Sequence, residues 1–235
     1  MKTISCQIQS LSSLTPHVYK VLLKPSESVS FIAGQYLNFV MGDKDKRPFS
    51  IASSPNSELI ELQIGAFIAD SYPMQVIECI KTSYESGTAV TIEIPLGDAQ
   101  LRIDSNRPLL LLAGGTGFSY IKSMFEYLAE QSSQRQIMVY WGLREESAAY
   151  ELEKTKTIIN SLTNAEFIPV IENPQPTWQG KVGLVHQAVM QDISNFEDYD
   201  IYLAGRFDMV GIIRGDFVQQ GALVEHMYAD AFAFI

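Results

Sequence analysis

An unbroken apolar run, Leu109-Leu110-Leu111-Leu112-Ala113, passes directly into Gly114-Gly115-Thr116-Gly117 and then into an amphipathic stretch from Phe118 to Gln131. No other segment constrains the fold as much. A short apolar run without polar alternation reads as a strand covered on both faces, as in parallel sheets flanked by helices. The glycines mark the turn from that strand into a helix. The same alternation continues downstream. Ile137 to Trp141 reads as a strand and Ser147 to Asn160 as a helix. Glu166 to Ile171 reads as a strand, and Leu184 to Ile193 as a helix opened by Gly180-Lys181-Val182-Gly183. Ile201 to Ala204 is a further strand and Phe207 to Gln219 a further helix. This βαβα order predicts an α/β domain on a parallel sheet.

Upstream the pattern differs. Val18 to Leu23, Gln35 to Met41, Phe49 to Ala52, Leu59 to Ile64 and Val90 to Ile94 are short β segments. Turn residues such as Ser53-Ser54-Pro55-Asn56 and Pro95-Leu96-Gly97 separate them. Strands at this spacing predict a small antiparallel β-barrel or sandwich. One helix interrupts them, roughly Ser71 to Thr82, with Asp70 or Ser71 as its N-cap. Asp104-Ser105-Asn106-Arg107-Pro108 is a polar, proline-terminated linker. The expected division is therefore a barrel domain at 1–103 and an α/β domain at 108–235.

Composition narrows the function. A formal charge of -10 opposes general nucleic-acid binding, which needs a cationic face to displace counterions. A local Arg or a set of backbone N–H groups can still hold a small anion. The longest apolar run is far too short to span a bilayer, and the residues after Met1 show no export pattern, so a cytoplasmic protein without a membrane partner is expected. Cys6 and Cys79, the only cysteines, are expected to be reduced core thiols. They cannot ligate an iron–sulfur cluster, which takes about four thiolates. Any electrons must then travel on organic carriers. His17, His186 and His226 are scattered, reading as surface or loop residues without a metal. Asn195-Phe196-Glu197-Asp198-Tyr199-Asp200 reads as a solvated acidic loop, and Trp178 as packing for the turn at Gly180.

Gly114-Gly115-Thr116-Gly117 can bring backbone N–H groups at a helix start close to a phosphate. The dinucleotide fingerprint would place another Gly where Tyr120 stands, and no carboxylate follows about 20 residues on. Taken alone, the turn is equally a strand–helix connection. In Arg47-Pro48-Phe49-Ser50, Arg47 can hold a phosphate and the Ser50 hydroxyl can bond a ring nitrogen. The ordinary reading is a barrel strand with an exposed Arg and a core Phe.

Taken together, Gly34-Gln35-Tyr36, Arg47-Pro48-Phe49-Ser50, Gly114-Gly115-Thr116-Gly117, Tyr140-Trp141-Gly142 and Ala204-Gly205-Arg206-Phe207 stand in an order that resembles the ferredoxin–NADP reductase superfamily. The chain is most similar to the bacterial NAD(P)H:flavin reductases, including the form associated with bacterial luciferase operons. The end, Asp230-Ala231-Phe232-Ala233-Phe234-Ile235, resembles that subgroup too. The resemblance implies a flavin-binding barrel followed by an NAD(P)H-binding α/β domain, a ferredoxin-reductase-like fold. It implies that Ser50 is the catalytic contact at flavin N5 and that Arg47 lies near the ribityl or phosphate end. Tyr36, Pro48, Phe49 and Gly65 would complete the flavin seat. Gly114, Gly115, Thr116 and Gly117 would approach the nicotinamide nucleotide, with Thr116 near the nicotinamide. Phe118, Trp141, Arg144, Gly205, Arg206 and Phe207 fall on the same nucleotide side.

There are departures from the pattern. The superfamily often has Cys-Gly-Pro where this chain has Ala204-Gly205-Arg206, so a thiol beside the nicotinamide is absent. No Ser follows Gly65 at the usual place, and Ser71 comes late. The expected activity is hydride transfer from NADH or NADPH to FMN, FAD or riboflavin, held as dissociable substrates with micromolar affinity (roughly -8 kcal/mol). Arg144 could meet a 2′-phosphate, but Glu145 and Glu146 would repel it, which favours NADH. The reduced flavin would serve a luciferase, another flavin-dependent monooxygenase, ferric chelates or general metabolism. An electron-transfer reductase subunit with permanently bound FAD, or a non-catalytic nucleotide-binding module, are the rival expectations.

Overall fold

Ile4, Cys6 and Ile8 are buried between exposed neighbours, and this period of two sets the first strand, β1 (Lys2–Thr15). It was not among the expected strands, although the alternation Ile-x-Cys-x-Ile carries the signal. The computed structural model describes residues Met1–Ile235 and divides into two compact units. One comprises Met1–Leu101 with Lys122–Tyr127; the other comprises Arg102–Ile121 with Leu128–Ile235.

In the first unit β1 is followed by β2 (Val18–Pro25), β3 (Tyr36–Gly42), β4 (Asp45–Ser50), β5 (Ile60–Gly65), α1 (Tyr72–Ser86) and β6 (Val90–Leu96). They form one antiparallel sheet in the order β4-β3-β6-β1-β2-β5. The two ends of this order come together where Ala52 N–H donates to Glu61 O at 2.8 Å, giving the barrel that the strand pattern predicts. Helix α1 buries Val76, Ile77 and Ile80 in the barrel core with Leu37, Phe39, Leu62 and Ile92. Ser71 stands at its N-cap position without a side-chain capping bond, because its hydroxyl donates to Ile68 O at 2.6 Å. Strand β4 starts earlier than Phe49 because Asp45 pairs with Gly42 in a tight hairpin. Cys6 lies in this core and Cys79 packs partly against it, both as free thiols.

The second unit contains β7 (Leu109–Gly114), a 3-10 turn at Gly115–Gly117, the two ends of α2 (Phe118–Glu130), whose middle Lys122–Tyr127 belongs to the first unit, β8 (Ile137–Leu143) and α3 (Leu152–Ile159). Then follow β9 (Ala165–Ile171), β10 (Lys181–Val182), α4 (Val185–Asp192), β11 (Asp200–Ala204), α5 (Phe207–Gln219) and β12 (Met227–Tyr228). The sheet is parallel throughout, in the order β10-β9-β8-β7-β11-β12. Every residue from Leu109 to Ala113 is fully buried, as expected for a central strand.

Three expectations need correction. Lys181-Val182, expected only as part of the segment leading into the helix, is a short edge strand, while the helix itself runs Val185–Asp192, within a residue of the expected span at each end. Asp200 is not solvated: it is 1% exposed at the start of β11. Arg135 lies 2.9 Å from it, His226 Nδ1 2.9 Å and Arg107 3.4 Å, so three basic side chains replace the lost water. His226 and His186 are therefore not idle loop residues; His186 is buried on α4, 3.5 Å from Asp216. Trp178 does pack its turn: its ring fills the space a Cβ at Gly180 would take, and its N–H donates to Lys181 O at 3.0 Å.

Candidate active site

Strand order locates a candidate ligand crevice. From β7 the chain winds outward through β8, β9 and β10, then returns to place β11 and β12 on the other side of β7. The reversal falls between β7 and β11. In open parallel sheets a ligand crevice forms beyond the carboxyl ends of the strands at such a reversal. Gly114 ends β7 there, and Ala204 ends β11 with Gly205 following it. A wide cavity of about 510 Å³ lies at the opposite, amino-terminal ends of β8 and β9, lined by Gln134, Gln136, Asn164 and Glu166 among others. It contains no helix start and no glycine turn, so the reversal is the better site.

The glycines at the crevice have specific spatial causes. A Cβ on Gly117 would lie 2.7 Å from the Ala204 carbonyl, and one on Gly114 would lie 2.6 Å from Met209 Sδ. Met209 also limits Gly205, at 2.9 Å. One thioether therefore fills the gap between the two strand ends. Gly115 has φ +53°, the left-handed region that side chains rarely adopt. Behind this turn, Trp141 Nε1–H donates to the Gly115 carbonyl at 2.9 Å, and the Trp141 ring stacks on Phe118 at 4.0 Å. Both rings are 0% exposed. Arg144 is exposed just beyond β8, and Arg206 is exposed with an ion pair to Asp208 at 3.1 Å. Phe207, at the start of α5, is 53% exposed and stacks on Phe234 with centroids 5.4 Å apart.

On the first unit, register places Tyr36 directly opposite Ser50, and Asn38 opposite Pro48. Directly opposed residues share a face, so Tyr36, Pro48 and Ser50 lie on one side of the hairpin. Leu37, Phe39 and the half-buried Phe49 lie on the other, toward the core. Arg47 is held by Asp45 through Nε at 2.7 Å and Nη2 at 2.6 Å, and Nη1 donates to Tyr72 O at 2.8 Å. Hydrogen bonding to Arg47 holds the Asp45 carboxyl below its usual value. Arg47 thus fastens β4 to the start of α1, and only the second N–H on each terminal nitrogen remains for an anion. Gly65 ends β5 opposite Val18.

Comparison with known proteins gives these features a context. Residues 111–215 match the family described as oxidoreductase NAD-binding domain. Over 236 residues the chain is 46% identical to the NAD(P)H-flavin reductase of Vibrio harveyi, covering 99% of this chain and 100% of that one. The chain belongs to the NAD(P)H-flavin reductase family. The relative from Aliivibrio fischeri bearing the same name is 43% identical, over 99% of each chain. Among solved structures, the ferredoxin reductase in carbazole 1,9a-dioxygenase superposes with a TM-score of 0.85 at 21% identity. That match covers 98% of this chain and 69% of that one, and shows a ferredoxin-reductase-like fold.

In this flavin reductase the segment after Ser50 is fixed by residues that the motifs did not reveal. Ile51 N–H donates to Gln35 O at 3.2 Å, and Lys122 Nζ donates to Ala52 O at 3.1 Å. Ser123 Oγ donates to Ser53 O at 2.7 Å, while Glu61 N–H donates to Ser53 Oγ at 3.1 Å. Lys122 is 1% exposed between Glu61 at 3.2 Å and Glu126 at 2.8 Å, with Lys20 3.1 Å from Glu61. Burial pushes the Glu61 carboxyl up, but Lys122, Lys20 and a hydrogen bond from Gln63 more than offset it and leave it below its usual value. A lysine on the buried side of α2 was the available signal. Met209 gave none, since a Met on an amphipathic helix reads as core.

Proposed function

We propose that this flavin reductase transfers hydride from NADH or NADPH to free FMN, FAD or riboflavin and releases the reduced flavin. Its substrates are the nicotinamide nucleotide and the flavin. The observation that carries this reading is the glycine turn Gly114–Gly117 at the sheet's reversal, in a chain that matches flavin reductases end to end. The assignment extends to both parts of the chain: residues 1–103 hold flavin and residues 108–235 hold the nucleotide.

Hydride donor and acceptor are supplied by the two substrates, so the protein needs neither a nucleophile nor an acid–base dyad. Its work is to orient the rings and keep water out. Ser50, beside Tyr36 on the hairpin face, is the proposed hydrogen-bond partner of the flavin ring. Pro48 and Gly65 border the same seat, and Phe49 supports it from the core side. Thr116, flanked by Gly115 and Gly117, meets the nucleotide, with Gly205, Arg206 and Phe207 across the crevice and Arg144 toward the adenosine end.

Release of reduced flavin suits an acceptor that is a separate enzyme, and a luciferase or another flavin-dependent monooxygenase is the proposed consumer. Purified protein mixed with NADH and FMN, followed at the nicotinamide absorbance band, tests the reading. Steady oxidation that depends on added flavin is expected; no oxidation with free flavin would contradict it.

A further inference from the structure

The Gly115 carbonyl accepts two hydrogen bonds, one from the Phe118 N–H that closes the 3-10 turn and one from Trp141 Nε1–H at 2.9 Å. Trp141 has a single donor, and the fold directs it at this one carbonyl of the glycine turn. The ring is locked by Phe118, stacked at 4.0 Å, and by Tyr150, edge-on at 5.0 Å. In a planar trans peptide the C=O and the N–H point in opposite directions. Because the Gly115 carbonyl faces the buried indole, the Thr116 N–H at the other end of that peptide faces away from it. Donors at a helix start, aimed outward, are what an acceptor oxygen of a nucleotide requires.

We propose that Trp141 is a positioning residue for NAD(P)H: by holding the Gly115 carbonyl inward it aims the Thr116 N–H at an acceptor oxygen of the nucleotide. The inference rests on the reading that the crevice beyond β7 and β11 takes the nicotinamide nucleotide. The indole itself does not touch the nucleotide, since it is 0% exposed behind the turn. The other tryptophan, Trp178, serves its own turn and is the internal control.

The test compares W141F, which keeps an aromatic ring against Phe118 but lacks the N–H, with Y150L and W178F. Steady-state KM values are measured for NADH and FMN, and calorimetric titration with NAD+ gives an affinity independent of turnover. W141F is expected to raise the NADH KM and the NAD+ Kd about tenfold, equivalent to about 1.4 kcal/mol, while the FMN KM moves less than about twofold. Y150L, which loosens the packing but keeps the donor, lowers thermal stability without that nucleotide-specific change. In nitrogen-labelled parent protein, saturation with NAD+ shifts the Thr116 amide proton downfield, a readout that needs no variant to fold. Unchanged nucleotide affinity in W141F, an equal rise in both KM values, an equal effect in Y150L, or an unmoved Thr116 amide would each overturn the proposal. A parent that binds NAD+ but fails to oxidise NADH with FMN would overturn the flavin-reductase reading alone, leaving the titration to decide the role of Trp141. A parent that neither binds NAD+ nor oxidises NADH or NADPH with FMN would overturn both.

Discussion

Ser50 and Gly117 carry the most direct residue-scale predictions. The Ser50 hydroxyl is the hydrogen-bonding group placed opposite Tyr36 on the β3–β4 hairpin. If it serves the flavin ring during hydride transfer, S50A loses an interaction made mainly in the transition state. Turnover is then expected to fall roughly ten- to a hundredfold while the NAD(P)H KM changes little. A KM effect without a kcat effect would assign Ser50 to ground-state binding instead. Gly117 is limited by backbone: a methyl group there meets the Ala204 carbonyl at 2.7 Å, and a main chain cannot swing aside as a side chain can. G117A is expected to lower stability by about 1–3 kcal/mol in urea unfolding and to weaken NAD(P)H binding in the folded protein. A variant with parental stability and nucleotide KM would show that the crevice is wider than this contact implies.

At the scale of elements, the ion network that fixes the segment after β4 makes stability depend on acid. Glu61 titrates below its ordinary value of 4.5 in the folded state, so its contribution is fully present above that pH. It is lost as the pH falls through the lowered folded value. E61Q is expected to destabilise by about 3 kcal/mol at neutral pH, with the gap from the parent narrowing below about pH 4.5 in urea midpoints. A gap that stays constant across that range would show that Glu61 does not carry the acid dependence. Legibility in the sequence also divides by element. β7 matches its expected span to within a residue because a continuous apolar run depends only on local sequence. β4 was displaced because its limits are set by the Gly42–Asp45 hairpin, a pairing choice. The burial of Asp200 is invisible in the local sequence because its partners, Arg107, Arg135 and His226, lie far away along the chain. For the candidate site, the motifs named the hairpin and glycine-turn residues. They did not reveal Met209, Lys122 or Ser123, whose placement depends on tertiary packing.

At the scale of the whole molecule, flavin comes and goes as a substrate. The segment between Ser50 and β5 is short, and its backbone is bonded to Gln35, Glu61, Lys122 and Ser123, not extended into an arm that could enclose an adenylate. After Gly65 the first hydroxyl is that of Ser71, and it is committed to Ile68 O. Contacts to the ring and ribityl chain are thus common to riboflavin, FMN and FAD, and all three are expected to be accepted at micromolar concentrations (roughly -8 kcal/mol). On the nucleotide side, the proposed repulsion of a 2′-phosphate by Glu145 and Glu146 beside Arg144 predicts a higher kcat/KM with NADH than with NADPH; the reverse order would contradict it. The most direct measurement is to dialyse the purified protein without flavin, record its visible spectrum, and then assay NADH oxidation with and without added FMN. A colourless protein whose activity appears only with added FMN, saturating in the micromolar range, is the predicted result. A stoichiometric yellow chromophore that survives dialysis and sustains oxidation without added flavin would contradict it.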